Sequence, residues 1–163
     1  MLESYAMNGK IEKVLKDKTV IHLDTAPIIY FIQENPKYSP ILKEVFSKID
    51  QGYVSGISSF ITLIELLVNP LELKNYLLAD RYRYLVMNSS CFTLYPVERM
   101  VSEKAAELRA KYSGNTTQGF KLKTPDAIQI ASAISFGAQL FLTNDDKLKN
   151  VKEIEVLTLD DAL

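Results

Sequence analysis

Four acidic residues stand in settings where an uncompensated charge is costly. Asp24 directly follows Val20-Ile21-His22-Leu23, and Glu65 interrupts the apolar run from Phe60 to Val68. Asp126 precedes Ala127-Ile128-Gln129-Ile130-Ala131, and Asp145 follows Leu140-Phe141-Leu142-Thr143. A carboxylate in apolar surroundings is strongly disfavoured unless it is paired or coordinates a metal. Four carboxylates gathered without a basic partner repel one another, and a hard divalent cation resolves that repulsion. All-oxygen ligands suit Mg²⁺ or Mn²⁺. Each acid also has an ordinary structural role open to it. Asp24 could cap a following helix, Asp126 could sit favourably on a helix dipole, and Asp145 could be a turn residue with Asp146 sharing its work. Glu65, flanked by apolar residues on both sides, is the hardest to explain without function.

The elements that must position these acids alternate between two periodicities. Residues 3–16 have apolar positions at helical spacing (Met7, Ile11, Val14, Leu15), which makes residues 1–18 a helical N-terminal extension ahead of one domain, 19–163. Thr19 to Leu23 reads as a strand ending at Asp24, with a helix from Pro27 and another from Ser39-Pro40. A strand over Tyr53 to Ile57 meets Ser58-Ser59, which cap a helix through Val68 that Asn69-Pro70 is expected to break. Further helices are expected over 72–87, 97–112 and 126–136, with strands at 92–95, 139–142 and 155–159. Ser113 to Lys123 reads as a mobile loop beside the site. Strands alternating with helices predict an α/β fold, a central, mostly parallel sheet covered on both faces. In such a sheet ligands bind beyond the carboxyl ends of the strands, where Asp24 and Asp145 fall, so all four acids could converge on one edge.

The whole chain constrains what this site could do. Its 163 residues make one domain of ordinary globular composition, 47% apolar and 24% charged. A formal net charge of −1 argues against a general nucleic-acid coat protein, so phosphate contact needs a local basic surface. Arg109, Lys121 and Lys123 are the candidates for that surface, with Lys111 beside them; a solvated charged face explains them equally well. The single cysteine, Cys91, excludes an internal disulfide and reads as a buried packing residue. With no signal-peptide pattern and no membrane-spanning run, the expected location is the cytoplasm. The only histidine, His22, lies inside the first strand and reads as structural. Tyr76, Tyr82 and Tyr84 share one expected helix and could stack bases or pack against a second subunit.

Four ordered segments resemble the PIN-domain nucleases, particularly the toxin of VapBC-type toxin–antitoxin pairs. They are Leu23-Asp24-Thr25 with Ile28-Ile29-Tyr30; Ser59-x-x-Thr62-x-x-Glu65-Leu66-Leu67; Thr124-Pro125-Asp126-Ala127-x-x-x-Ala131-x-Ala133; and Phe141-Leu142-Thr143-Asn144-Asp145. The resemblance runs from about Thr19 to the C-terminus and implies a three-layer α/β/α domain. It also implies that Asp24, Glu65, Asp126 and Asp145 bind metal and catalyse hydrolysis of RNA phosphodiesters to leave a 5′-phosphate. Thr25 and Thr143 fall on supporting positions, and Asn144 could orient a ligand beside them. An antitoxin partner and a homodimer are further implications of the resemblance alone. Ala26-Pro27 departs from the family's more usual polar residue after Asp-Thr, and residues 1–18 precede its usual start.

Two other readings compete with this one. A haloacid-dehalogenase-like phosphatase also places an Asp after its first strand, but it needs a second Asp two residues on, where this chain has Ala26. A nucleic-acid-binding module without catalysis is the other alternative, and the presence of all four acids argues against it.

Overall fold

The structure, a computed structural model, describes residues 9–115 and 119–163. Five strands, β1 (Val20–Leu23), β2 (Ser55–Ser59), β3 (Thr93–Tyr95), β4 (Leu140–Thr143) and β5 (Glu155–Thr158), form one sheet in the order β3-β2-β1-β4-β5. Every neighbouring pair is parallel. The chain builds outward from β1 through β2 to β3, then crosses back to place β4 on the other side of β1. The crevice at that reversal, beyond the carboxyl ends of β1 and β4, is the place where open α/β sheets bind ligands.

Alternation along the strands divides the core between two faces. Ile21, Leu23, Leu140 and Leu142 point to one side, where they meet α1 (Gly9–Leu15), α2 (Thr25–Ile32), α3 (Ser39–Asp50), α4 (Phe60–Glu72), α5 (Tyr76–Met87) and α8 (Leu159–Ala162). Phe141 points to the other side, against α6 (Arg99–Lys111) and α7 (Thr124–Ser135). His22 shares that second side and stacks on Phe141, with ring centroids 5.0 Å apart. Complete burial pushes the imidazole pKa down to about 3, so His22 is neutral and serves packing. The layered α/β arrangement is therefore the expected one, and its sheet is wholly parallel.

Several boundaries differ from the expected ones for identifiable reasons. Helix α2 starts at Thr25, because Asp24 caps it two residues before Pro27. Strand β2 runs later, from Ser55 to Ser59, with Ser59 capping α4 by accepting from Ile61 N at 3.1 Å. Helix α4 does not break at Asn69-Pro70 but continues to Glu72 with Pro70 inside it. Leu66 and Pro70 lie four residues apart and are both buried, so packing of that face offsets the backbone hydrogen bond that proline lacks. The break comes instead at Lys74, whose φ is 55°, followed by Asn75, which caps α5 by accepting from Leu78 N at 3.1 Å. Asp146–Asn150 form a 3₁₀ turn.

Of the N-terminal extension, Gly9–Leu15 is helical, and Ile11 and Leu15 are buried in the core; residues 1–8 lie outside the described residues. The loop expected between Ser113 and Lys123 is closed at its base by an antiparallel Ser113–Lys121 bridge and by Leu122 N donating to Tyr112 O at 2.9 Å. Thr116 to Gln118 are outside the described residues. Cys91 is half-buried rather than enclosed, lying against the larger core cluster. Among the described residues no helix is long and apolar enough to cross a membrane.

Candidate functional site

Asp24 is held at the crevice by three hydrogen bonds at once. Its backbone N–H donates to Leu142 O at 2.9 Å, which fixes the end of β1 against β4. One carboxylate oxygen accepts from Thr25 N at 2.8 Å as the cap of α2, and the other accepts from the Thr143 hydroxyl at 2.6 Å. Burial pushes the Asp24 pKa up to about 6. The two hydrogen bonds pull it back, and the negative charges of Glu65 and Asp126 push it further up.

The remaining acids arrive from three separate elements. Glu65 projects from α4 and accepts a hydrogen bond from the Thr25 hydroxyl. It is exposed, which corrects the burial suggested by its apolar flanks; of those neighbours Leu66 is buried, whereas Ile64 and Val68 are exposed as well. Asp126 lies in the first turn of α7, half-buried. Its pKa is raised by burial and by the charges of Asp145 and Glu65, against a lowering influence from Lys123. Asp145 is exposed and caps the 3₁₀ turn, accepting from Lys147 N at 2.9 Å. Asp146 turns away to pair with Lys149 at 2.7 Å, so Asp145 is the one whose charge reaches Asp126.

Asp24, Glu65 and Asp126 line one open cavity of about 430 Å³, together with Thr25, Ala26, Ile29 and Val68. Ala26 supplies a stretch of apolar wall. Among the described residues none of the four acids is in a salt bridge. Also among the described residues, no group of three or more acids, histidines or cysteines is already drawn to metal-ligand spacing. The acids thus meet at the range of mutual repulsion. The donor set nevertheless suits a hard cation: carboxylate oxygens, with the Asn144 Oδ1 close by in sequence, buried and without a partner among the described residues. Asn144 Nδ2 is oriented towards the Tyr30 hydroxyl at 3.4 Å.

The basic candidates are less closely placed. None of Arg109, Lys121 and Lys123 lines the cavity, and all three are exposed. Only Lys123, next to the start of α7, acts electrostatically on a site acid. Lys111 pairs with Glu153 at 2.6 Å. Tyr82 is buried and its hydroxyl accepts from Gln33 Nε2 at 2.8 Å, whereas Tyr76 and Tyr84 are exposed.

Beneath the cavity lies a polar cluster that the sequence does not bring together, with no role expected of Gln129. Ser58, Thr62 and Gln129 are buried, and they join Thr25 through Ser58–Thr62 (2.8 Å), Thr62–Thr25 (3.2 Å) and two bonds from Gln129 Nε2. A signal was present: Gln129 is polar within the apolar run of α7, one turn beyond Asp126, and Thr62 precedes Glu65 by three residues on α4.

The PIN domain family matches residues 21–154. The chain belongs to the PIN domain family. Solved structures similar to this PIN domain include VapBC2 from Rickettsia felis, bound to a DNA fragment from its promoter. That match has 19% identity and a TM-score of 0.63, covering 86% of this chain and 98% of that one. A toxin–antitoxin complex from Klebsiella pneumoniae is 21% identical with a TM-score of 0.60, covering 85% of this chain and 97% of that one. FitAcB from Neisseria gonorrhoeae is 20% identical with a TM-score of 0.62, covering 85% and 97%. At these identities the likeness is one of fold. A comparison with curated proteins finds no match. The matched span of this PIN domain contains all four acids and begins after α1.

Proposed function

We propose that this PIN domain is a divalent-metal-dependent endoribonuclease and the toxin of a toxin–antitoxin pair. The observation that carries the catalytic reading is the cavity at the sheet reversal, lined by Asp24, Glu65 and Asp126, none of them in a salt bridge among the described residues, with Asp145 adding its charge to Asp126. Asp24, Glu65, Asp126 and Asp145 are the residues that would hold Mg²⁺ or Mn²⁺. When bound, such a cation supplies Lewis acidity towards the phosphoryl group and activation of water.

The chain's own groups have distinct tasks in this reading. Asp24, clamped by Thr25 N and Thr143, is the rigid anchor. Thr25 orients Glu65, and Asp126 is presented from the first turn of α7. The open cavity admits an extended polyanion, and Lys123, with Lys121 and Arg109 further out, offers positive charge for the phosphate backbone. Neutral, buried His22 is outside the chemistry. The toxin reading rests on the fold shared with the VapBC2 and Klebsiella structures, and it makes an antitoxin protein the partner, with RNA as substrate, a homodimer as the assembly and the cytoplasm as the location.

The test is incubation of purified protein with end-labelled RNA and, separately, with a small phosphate monoester, in Mg²⁺, Mn²⁺ or chelator. Cleavage of RNA alone, abolished by chelator, is the expected result. Hydrolysis of the monoester with intact RNA would favour the phosphatase, and RNA binding without cleavage would favour the non-catalytic module.

A further inference from the structure

We propose that Gln129 is a positioning residue whose side-chain amide sets the direction of a buried chain of hydroxyl protons, so that Thr25 donates to Glu65. The inference rests on the reading of Glu65 as a cation ligand. Its warrant is a count of protons. Ser58 has one hydroxyl proton, and it is given to Leu23 O at 2.7 Å. The 2.8 Å contact between Ser58 and Thr62 must therefore be made by the Thr62 proton. Thr25 likewise has one hydroxyl proton, directed to Glu65 Oε2.

The 3.2 Å approach of Thr25 Oγ1 to Thr62 Oγ1 is then left with no proton between the two oxygens. Facing lone pairs in a buried site repel unless another donor supplies both. Gln129 Nε2 does so, donating to Thr62 Oγ1 at 2.9 Å and to Thr25 Oγ1 at 3.2 Å. Only its donors are engaged: Oε1 is buried and has no partner among the described residues, so no hydroxyl proton is drawn to the amide oxygen in this orientation. Turning the amide over would require Thr25 or Thr62 to donate to Gln129, withdrawing a proton from Glu65 or from Ser58. The amide orientation and the hydroxyl direction are one choice.

The consequence for Glu65 is specific. An oriented Thr25 hydroxyl holds one carboxylate oxygen as an acceptor and fixes the plane of the group for a cation. Gln129→Met keeps the length of the side chain and removes both donors; Gln129→Glu is nearly isosteric and, at a pH where its carboxyl is ionised, only accepts, which reverses the chain. A packing role alone would lower stability and leave the cation affinity of the folded fraction unchanged.

The experiment is Mn²⁺ titration of wild type and both variants, followed by electron paramagnetic resonance, with thermal melts to establish the folded fraction. Supporting groups of this kind change metal affinity by about 10–100-fold, so the Mn²⁺ dissociation constant is expected to rise at least about tenfold in Gln129→Met and further in Gln129→Glu. Wild-type affinity in folded Gln129→Met overturns the proposal while leaving the four-acid reading intact. Failure of the wild type itself to bind Mn²⁺ overturns both, and the two failures are told apart by the wild-type titration. Should either variant fold poorly, side-chain amide exchange in the wild type decides. Both Gln129 protons are expected to exchange slowly, and exchange of either at the rate of a free amide overturns the proposal.

Discussion

Thr143 donates its hydroxyl to Asp24 Oδ2 at 2.6 Å, and Thr143 Oγ1 in turn accepts the backbone N–H of Asp145 at 3.1 Å. One side chain at the end of β4 therefore aims the acid at the end of β1 and sets the backbone of the acid two residues beyond it. Thr143→Val removes that proton and acceptor with little change in volume. It is expected to cost about 1–3 kcal/mol of stability, read from urea denaturation. It is also expected to weaken Mn²⁺ binding by about 10–100-fold, read by titration. Unchanged Mn²⁺ affinity would show that the clamp serves the fold alone.

Asp24 makes the cation-free protein sensitive to pH. Its pKa rises from 3.8 to about 6 on folding, so the folded state holds this proton more tightly than the unfolded chain. The stability that follows is present in acid, below about pH 4, and is lost as pH rises towards about 6. Asp24→Asn, which retains the side-chain oxygen for the helix cap, is therefore expected to stabilise the cation-free protein at about pH 8. The gain is about 2–3 kcal/mol, shrinking to nothing below about pH 4. Urea denaturation of both proteins at the two pH values checks this; a gain of equal size at both would disprove the charge-burial origin.

Cation binding should follow the same group in the opposite sense. A ligand must be ionised to bind, so Mn²⁺ has to displace the Asp24 proton below about pH 6. Apparent affinity is expected to level off above about pH 7 and to fall roughly tenfold per unit below about pH 6. Calorimetric titration in buffers of different ionisation enthalpy would detect the released protons; affinity independent of pH between about 5 and 7 would contradict it.

Gly56 offers a prediction about the scaffold alone. A Cβ on this residue of β2 would meet Cys91 O at 2.6 Å, a backbone atom that cannot swing aside. Gly56→Ala is expected to destabilise the protein by about 1–3 kcal/mol without altering the Mn²⁺ affinity of the folded fraction. A melting temperature equal to that of the wild type would show that β2 and the segment before β3 separate easily.

Much of the architecture is legible in the sequence because hydrophobic periodicity reports burial on the sheet. Val20 to Leu23 and Leu140 to Thr143 are buried strands, and Asp24 directly after the first and Asp145 two residues after the second stand where apolar character stops. Helix α4 passes through Pro70 because Leu66 and Pro70 share a buried face, a tertiary effect that local propensity does not carry. The exposure of Glu65 was hidden for a related reason: apolar neighbours in sequence are distributed around a helix, and Ile64 and Val68 are themselves exposed. The Ser58–Thr62–Thr25–Gln129 cluster joins four elements, β2, α4, α2 and α7, which only the folded chain brings together. Gln129 stood out as polar in an apolar run, but its partners could not be named from spacing.

The central claim, that these acids form a metal-dependent ribonuclease site, is tested most directly by one rate. Asp126 has a half-buried carboxylate in the cavity and acts on the site through its charge, so Asp126→Asn removes charge with minimal change in shape. Single-turnover cleavage of end-labelled RNA in Mn²⁺ is expected to be at least about 100-fold slower in Asp126→Asn than in wild type, with the protein still folded. Equal rates of metal-dependent cleavage in the two proteins would contradict the account.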